Sequence, residues 1–229
     1  MSALSPARRL LKRFHPEGIP WPGTVFYNAV SGTEIFTRTY ELLARDIVDQ
    51  CPEGSVLDIG TGPARLLLKL HELAPGLRLT GLDASAAMVE RARANVERAG
   101  LAGVIELREG NASQLPFEDG CFDSVVSTGA VHHFKDPTAA LNEIHRVLVP
   151  GGLALLYDLV SDTPASILKE TAREFGRLRM LLLWLHAFEE PFYSVEGMEL
   201  LARPSLFGEG RTRFLSMMCC LILEKKDGP

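Results

Sequence analysis

Short apolar runs alternate with segments of helical apolar spacing between residues 31 and 160, and this alternation limits the possible folds more than any other feature. Each helical segment carries its apolar residues on a single face, as Phe36, Tyr40 and Leu43 illustrate. The apolar runs have strand length and lack the polar alternation of a half-exposed sheet. Repeated strand–helix units of this kind predict an α/β fold, in which helices cover both faces of a mostly parallel sheet. The predicted strands are Ser55–Ile59, Leu77–Leu82, Val104–Leu107, Phe122–Ser127 and Leu153–Leu159, with two more from the last apolar segment.

Right-handed connections bring the loops after the parallel strands to one edge of such a sheet, where its ligands bind. Functional residues are therefore expected in four loops, at residues 58–65, 83–85, 110–117 and 127–136. Beyond residue 160 the pattern predicts a long helical stretch over Thr163–Phe188 and a shorter helix over Ser194–Ala202.

The charge balance and the cysteines indicate the class of protein. With 24 basic and 29 acidic residues the net charge is −5, whereas nucleic-acid-binding domains usually carry a positive surface. No nucleic-acid partner is therefore expected. The four cysteines form no CxxC pair, so we expect buried thiols in a reducing cytosol, which implies a cytoplasmic location.

No segment is predicted to span a membrane. The apolar run Met180–Leu185 is far shorter than the roughly 20 residues that a spanning helix requires. The basic, amphipathic segment at residues 4–14 gives only weak grounds for contact with an anionic membrane surface, and a solvated helix is the simpler interpretation.

A glycine-rich turn, Asp58-Ile59-Gly60-Thr61-Gly62-Pro63-Ala64-Arg65, follows the first strand. Glycines between a strand and a helix let the backbone approach a ligand closely, with free N–H groups pointing at it. A dinucleotide fingerprint requires Gly or Ala where Arg65 stands, and its pyrophosphate would be repelled by Asp58. An acid before the glycines instead suits a ligand with a cationic end.

Residues Val56–Ala64 resemble motif I of class I S-adenosylmethionine-dependent methyltransferases, with Ala64 where the family often has a third glycine. The resemblance covers about residues 35–160 and is closest to the small-molecule branch that includes ubiquinone and menaquinone methyltransferases. It implies a doubly wound, seven-stranded, Rossmann-like sheet and S-adenosyl-L-methionine as cofactor. The expected activity is SN2 methyl transfer to a small molecule.

The resemblance also implies which residues contact the cofactor. Asp58 would support its amino end, Asp83 would accept from both ribose hydroxyls, and Asn111 would accept from the adenine amino group in place of the aspartate common in the family. A carboxylate can accept two O–H donors at once, and an amide oxygen can also accept. The helix N-cap is the alternative role for Asp83. The full predicted set is Asp58, Gly60, Thr61, Gly62, Asp83, Ala84, Asn111, Ala112 and Thr128.

Three residues are candidates for direct participation in methyl transfer. His132 and His133 follow the fourth strand, and a histidine near its ordinary pKa can act as a general base. The alternative is that one histidine packs on the cofactor or hydrogen-bonds the loop. Tyr27 precedes the first regular helix, where the family places residues over the site, although ordinary loop packing is an equal alternative. No metal site is predicted, because the paired histidines lack a further ligand at the required spacing.

The flanks are the expected determinants of substrate choice. Residues 1–50 are predicted to form an N-terminal helical cap, residues 51–229 the cofactor-binding domain, and residues 160–205 a helical insertion on the substrate side. The apolar stripe Met180–Phe188 either lines a pocket for an apolar or aromatic acceptor, or forms core or an oligomer contact. A monomer or homodimer is expected. The competing functions are a non-catalytic cofactor-binding module and an RNA or protein methyltransferase.

Overall fold

The computed structural model describes residues 34–175 and 192–226, which contain a seven-stranded sheet with helices on both faces. The helices are α1 (Glu34–Gln50), α2 (Arg65–Leu73), α3 (Ala86–Arg98), α4 (Pro137–Val147), α5 (Ala165–Phe175) and α6 (Val195–Ala202), with a short 3₁₀ helix at Val131–His133. The strands are β1 (Ser55–Ile59), β2 (Arg78–Asp83), β3 (Ile105–Glu109), β4 (Phe122–Thr128), β5 (Leu148–Asp158), β6 (Arg211–Leu215) and β7 (Met218–Glu224). The predicted α/β architecture is confirmed.

The strand order is β3-β2-β1-β4-β5-β7-β6. The first five strands pair in parallel, and β7 joins β5 and β6 in antiparallel fashion. The order reverses between β1 and β4, whose register aligns Asp58 with Val126. Ligands of open α/β sheets bind at such a reversal, outside the carboxyl ends of the strands. The topology therefore directs attention to the loops after β1, β2 and β4.

Two apolar layers hold the helices against the sheet. One layer contains α1, α2 and α3, represented by Ile47, Leu70 and Val96, and the other contains α4 and α6, represented by Ile144 and Met198. Each strand between β1 and β5 contributes buried side chains, and β1 is buried along its whole length. This double coverage explains the continuous apolar runs, because both faces of the central strands contact helices.

The start of β5 differs from the sequence expectation. The strand was expected to begin at Leu153, after the Pro150-Gly151-Gly152 run. Instead α4 ends at Val147 and β5 already pairs at Leu148, opposite Phe122, before the register shifts and resumes at Leu153 opposite Ser124. Proline and glycines are tolerated here because they lie in a bulge, where the ladder is interrupted.

Hydrogen bonds between polar side chains connect helix α1 to strands β5 and β6. The Tyr157 hydroxyl on β5 donates to Asp46 on α1. Arg213 on β6 donates to both carboxylate oxygens of Asp46, at 2.8 and 2.6 Å. The carboxylate thus receives hydrogen bonds from two strands, which fixes the helix against both.

Several sequence predictions fall on residues outside the described ranges. These are Tyr27, the basic segment at residues 4–14, most of the proposed cap, and the apolar stripe Met180–Phe188. Within the described ranges, no helix has the length and apolarity needed to cross a membrane. The prediction of buried thiols holds for Cys51, Cys219 and Cys220 but is wrong for Cys121, which is exposed on the loop before β4.

Candidate functional site

The glycine-rich turn is held at the carboxyl end of β2. The backbone N–H groups of Gly60 and Thr61 both donate to the Leu82 carbonyl, at 2.8 and 3.0 Å. Gly60 has φ 76° and Gly62 has φ 51°, conformations that glycine adopts at low cost. A Cβ atom on Gly60 would lie 2.5 Å from the Cβ of Ala130, so the turn packs directly against the segment after β4. Only glycine fits at position 60 without displacing that segment.

Ala64 also lies in the left-handed region, with φ 60°, at the position before α2. A side chain in that region costs roughly 1 kcal/mol, which gives a physical reason for the glycine often found here in the family. The strain lies at the N-terminus of a helix, where backbone N–H groups face the expected ligand.

Asp58 is a buried carboxylate without a hydrogen-bond partner in the described part of the chain. Its side chain is 1% exposed, and neither carboxylate oxygen receives a hydrogen bond there. Burial raises the pKa of Asp58 to about 7. The nearby Thr61 hydroxyl, which does not reach hydrogen-bonding geometry, offsets part of this rise, and the charge of Asp83 adds to it. A buried carboxylate is costly unless a cation or donors neutralise it. Asp58 therefore marks a position where a cationic group would be bound favourably.

Asp83 lies beside the turn at the end of β2. One of its oxygens accepts from the Gly62 N–H at 2.8 Å, and the other accepts from the Ser85 N–H at 2.9 Å. Burial raises the pKa of Asp83, and these two backbone donors offset part of the rise. Ser85 is the N-cap residue of α3, but its side chain makes no capping hydrogen bond. Asp83 is thus oriented by the glycine turn itself, and each oxygen keeps capacity for a further donor.

Asn111 and Ala112 are brought to the same edge by the loop after β3. The Gly110 N–H donates to the Asp83 carbonyl at 3.0 Å, which joins this loop to the end of β2. The Asn111 amide oxygen accepts from the Ser113 N–H at 2.7 Å. This bond holds the amide in a local turn, and an amide oxygen has the capacity to accept two hydrogen bonds.

The segment after β4 completes the edge. Thr128 pairs with Tyr157 on β5, and His132 follows in the 3₁₀ helix, where its side chain is only 5% exposed. The His132 ring packs against His133 and Phe192, with centroid distances of 4.0 and 4.4 Å. Its Nδ1 atom lies 2.8 Å from an oxygen of Asp158. His132 is therefore a fixed, buried histidine and not a solvent-exposed loop residue.

The structure thus brings together the candidates after β1, β2, β3 and β4, whereas Tyr27 lies outside the described residues. Asp158 was missed by sequence reasoning. It is an acid at the end of an apolar strand, as Asp83 also is, and Asp58 lies one residue before the end of its strand; this shared position was the available signal. Residues 34–175 and 192–226 contain no group of His, Cys, Asp or Glu side chains arranged to hold a metal ion.

Comparison with known proteins identifies the domain. Residues 57–156 match the family model described as a methyltransferase domain. The chain is 41% identical over 97 residues to a demethylmenaquinone methyltransferase of Thermus thermophilus, covering 42% of this chain and 43% of that protein. It is 29% identical over 145 residues to a ubiquinone/menaquinone biosynthesis C-methyltransferase of Geotalea daltonii, covering 63% of this chain and 61% of that protein. The chain therefore spans about half the length of these relatives.

A solved structure from Methanococcus maripaludis, named a putative S-adenosyl-L-methionine-dependent methyltransferase, shares the fold, with a TM-score of 0.69 at 22% identity over 94% of this chain and 97% of that one. This domain and fold imply S-adenosylmethionine as cofactor. The residues present fit that molecule, because Asp58 offers an unneutralised carboxylate where a cationic amino end would lie. Asp83 adds a second carboxylate one strand away.

Proposed function

We propose that this chain, which contains a class I methyltransferase domain at residues 57–156, transfers the methyl group of S-adenosylmethionine to a small-molecule acceptor. The observation that carries the proposal is the buried carboxylate of Asp58, which lacks a partner within the described residues and lies at a glycine turn beside Asp83. Two relatives named as quinone-pathway methyltransferases support a small-molecule acceptor.

Each candidate residue has a role in holding the cofactor. Asp58 binds the ammonium group, Asp83 accepts from the two ribose hydroxyls, and Asn111 accepts from the adenine amino group. The turn at Gly60 and Gly62 lets the backbone approach the methionine portion closely. Thr61, Ala84, Ala112 and Thr128 line the remaining edge of the site.

The bound cofactor supplies an electrophilic methyl group on a sulfonium sulfur. The chain's own contribution is to position the methyl donor and the acceptor. The turn and the ends of β2 and β4 hold the two reactants in line, with the reacting atoms about 3–3.5 Å apart. His132 accepts the proton that the acceptor loses, His133 supports its orientation, and Tyr27 covers the site from the leading segment. The buried ring of Phe192, which packs against His132, excludes water from the reacting groups.

The organisation of the chain is part of the same proposal. Residues 1–50 act as a cap, residues 51–229 bind the cofactor, and residues 160–205 select the acceptor. The buried thiols of Cys51, Cys219 and Cys220 support a reducing, cytoplasmic location. We propose a monomer or homodimer.

Calorimetry with S-adenosylmethionine tests the cofactor site. Replacing Asp83 by alanine removes a carboxylate expected to accept two hydroxyl donors, so the affinity should fall by about 10²-fold, on the order of 2–3 kcal/mol. Asp119→Ala is the matched control, since Asp119 is an exposed acid paired with Arg146 on another surface. Its affinity should equal that of the wild type. Equal affinities of Asp83→Ala and the wild type would show that Asp83 does not contact the cofactor. No binding by the wild type would refute the proposed function.

A further inference from the structure

Three buried polar atoms lie together at the end of β1 and in the turn that follows it. They are the two carboxylate oxygens of Asp58 and the hydroxyl oxygen of Thr61, and none has a hydrogen-bond partner within the described residues. Asp58 is 1% exposed and Thr61 is 6% exposed, so water does not replace such partners freely. Because buried polar groups in folded proteins almost always have partners, these atoms mark a place where a ligand supplies the hydrogen bonds.

The strands beside β1 bring no positive charge to Asp58. From β2 comes Asp83, whose negative charge opposes the ionisation of Asp58. From β4 comes Ser127, whose hydroxyl donates to a carbonyl of β1. The acid of β4, Asp123, accepts from the backbone N–H of Ser55 at the opposite end of β1. The neighbouring strands therefore favour the uncharged form of Asp58.

Helices α1 and α2 pack on the face of β1 that carries Asp58, and most of their cations are paired with other acids. These pairs are Arg38–Glu174, Arg45–Glu41, Lys69–Glu72 and Arg213–Asp46, the last reaching α1 from β6. Asp46 also accepts from the Tyr157 hydroxyl on β5. Arg65 begins α2 and His71 lies in its last turn, and neither donates to Asp58. No cation of the described residues therefore neutralises Asp58.

An isolated buried carboxylate takes up a proton, because its charged form is poorly solvated. The upward shift in the pKa of Asp58 agrees with this geometry. Asp83 differs, because the N–H groups of Gly62 and Ser85 donate to its two oxygens and stabilise its charge. Of the two neighbouring acids, Asp58 is therefore the one that holds a proton in the cofactor-free protein near pH 6.

The amino end of the cofactor matches the three buried atoms. An ammonium group has three N–H donors and no acceptor, and the two oxygens of Asp58 and the Thr61 hydroxyl can all accept. An α-amino group has a pKa of about 8, so it arrives as a cation at pH 6. A positive charge in contact with a carboxyl group favours the ionised carboxylate.

We propose that the amino end of the cofactor displaces a proton from Asp58, so that the site binds its ligand by exchanging a proton for an ammonium group. This rests on the proposed function. The proton passes to the solvent, and the carboxylate of Asp58 and the ammonium group remain as an ion pair. S-adenosylhomocysteine carries the same amino end and binds by the same exchange. 5′-Methylthioadenosine lacks the amino acid portion and binds without it.

The exchange makes cofactor affinity depend on pH in a defined direction. A proton and the ammonium group compete for Asp58, so binding weakens as the pH falls below 7. For S-adenosylhomocysteine the Kd should be about eightfold higher at pH 6 than at pH 7.5. For 5′-methylthioadenosine the Kd should be equal at the two pH values.

Calorimetry in buffers of different ionisation enthalpy measures the protons released on binding. At pH 6 the wild type should release about 0.9 proton for each S-adenosylhomocysteine bound and none for 5′-methylthioadenosine. Asp58→Asn keeps the shape of the side chain but cannot ionise, so it should release none with either ligand. Asp119→Asn is the matched control, because Asp119 is an exposed acid paired with Arg146 on another surface, and it should release as many protons as the wild type.

Three results would overturn the exchange while leaving the proposed function standing. They are binding of S-adenosylhomocysteine to the wild type without proton release, equal proton release with 5′-methylthioadenosine, and undiminished release in Asp58→Asn. Failure of the wild type to bind either ligand would refute the proposed function and the exchange with it.

Infrared spectroscopy covers the case in which Asp58→Asn binds too weakly for calorimetry or fails to fold. At pH 6 the cofactor-free wild type should show the carbonyl stretch of a protonated carboxylic acid, and this band should disappear when S-adenosylhomocysteine is added. A folded Asp58→Asn protein should lack the band, whereas Asp119→Asn should keep it. A cofactor-free wild type without the band, or a band that persists in the complex, would overturn the proposal.

Discussion

Replacing Asp58 by asparagine should stabilise the cofactor-free protein at alkaline pH. Burial raises the pKa of Asp58 from its ordinary value of 3.8 to about 7, so the folded state binds a proton that the unfolded state releases. The stabilisation that comes from this bound proton is therefore fully present below pH 4 and is lost as the pH rises to 7. Each tenfold difference in proton affinity corresponds to about 1.4 kcal/mol. The wild type should lose up to about 3 kcal/mol relative to Asp58→Asn between pH 5 and pH 8.

Thermal unfolding followed by circular dichroism measures this difference. For a chain of this size, about 1 kcal/mol shifts Tm by roughly 2–4 °C. Asp58→Asn should thus gain roughly 6–12 °C over the wild type between pH 5 and pH 8. A constant difference across this pH range, or a relative loss by the variant at pH 8, would show that Asp58 is not a strained buried carboxylate.

The cofactor should narrow the difference between the two proteins at pH 8. At 100 times its Kd, a ligand stabilises the folded state by about 2.7 kcal/mol. Losing a charged hydrogen bond of about 2 kcal/mol would reduce this gain in Asp58→Asn to about 1 kcal/mol at the same concentration. Equal stabilisation of both proteins by S-adenosylmethionine would mean that its ammonium group does not contact Asp58.

Two further substitutions test side-chain contacts, one at the site and one away from it. Gly60→Ala should lower the free energy of unfolding in urea by at least about 2 kcal/mol, because it adds a side chain in the left-handed region that meets Ala130. Gly100→Ala, where φ is 73° and no atom of the described residues lies within 4 Å of an added Cβ, should cost only about 1 kcal/mol. Equal costs would contradict the close approach at Gly60. Arg146→Lys should cost about 2 kcal/mol because the guanidinium binds Glu143 through two nitrogens and also reaches two carbonyls. The exposed pair at Arg93 provides the control, with a cost of about 0.5 kcal/mol or less for Arg93→Lys, and an equally small cost at Arg146 would refute this reasoning.

The central strands of the sheet were predictable because short stretches of sequence are enough to indicate them. Buried parallel strands require continuous apolar runs, and the turn after β1 requires glycines at Gly60 and Gly62. The prediction failed at Pro150-Gly151-Gly152, where local rules favour a break but the neighbouring strands β4 and β7 continue to pair around a bulge. The ladder there depends on long-range contacts, which composition and spacing do not encode.

The candidate site was predictable only in part. Asp58 and Asp83 could be selected as candidates from the family resemblance and from their positions near the ends of strands, and the structure places both at one edge. The partnership of His132 with Asp158 could not, because the two residues are 26 positions apart and meet only through the pairing of β4 with β5. Exposure of Cys121 was also missed, since the loop that carries it has no periodic pattern.

The hydrogen bonds of Asp46 to Tyr157 and Arg213 limit how the leading part of the chain can be exchanged between relatives. A chimera that imports another protein's leading helix without an acid at this position would leave a buried phenol and a partly buried guanidinium without their shared acceptor. Functional recombination should therefore require breakpoints before residue 34, or joint transfer of α1 with the β6–β7 hairpin. Any substrate preference that the leading segment carries can then evolve separately from this helix, whereas α1 and the sheet edge must change together.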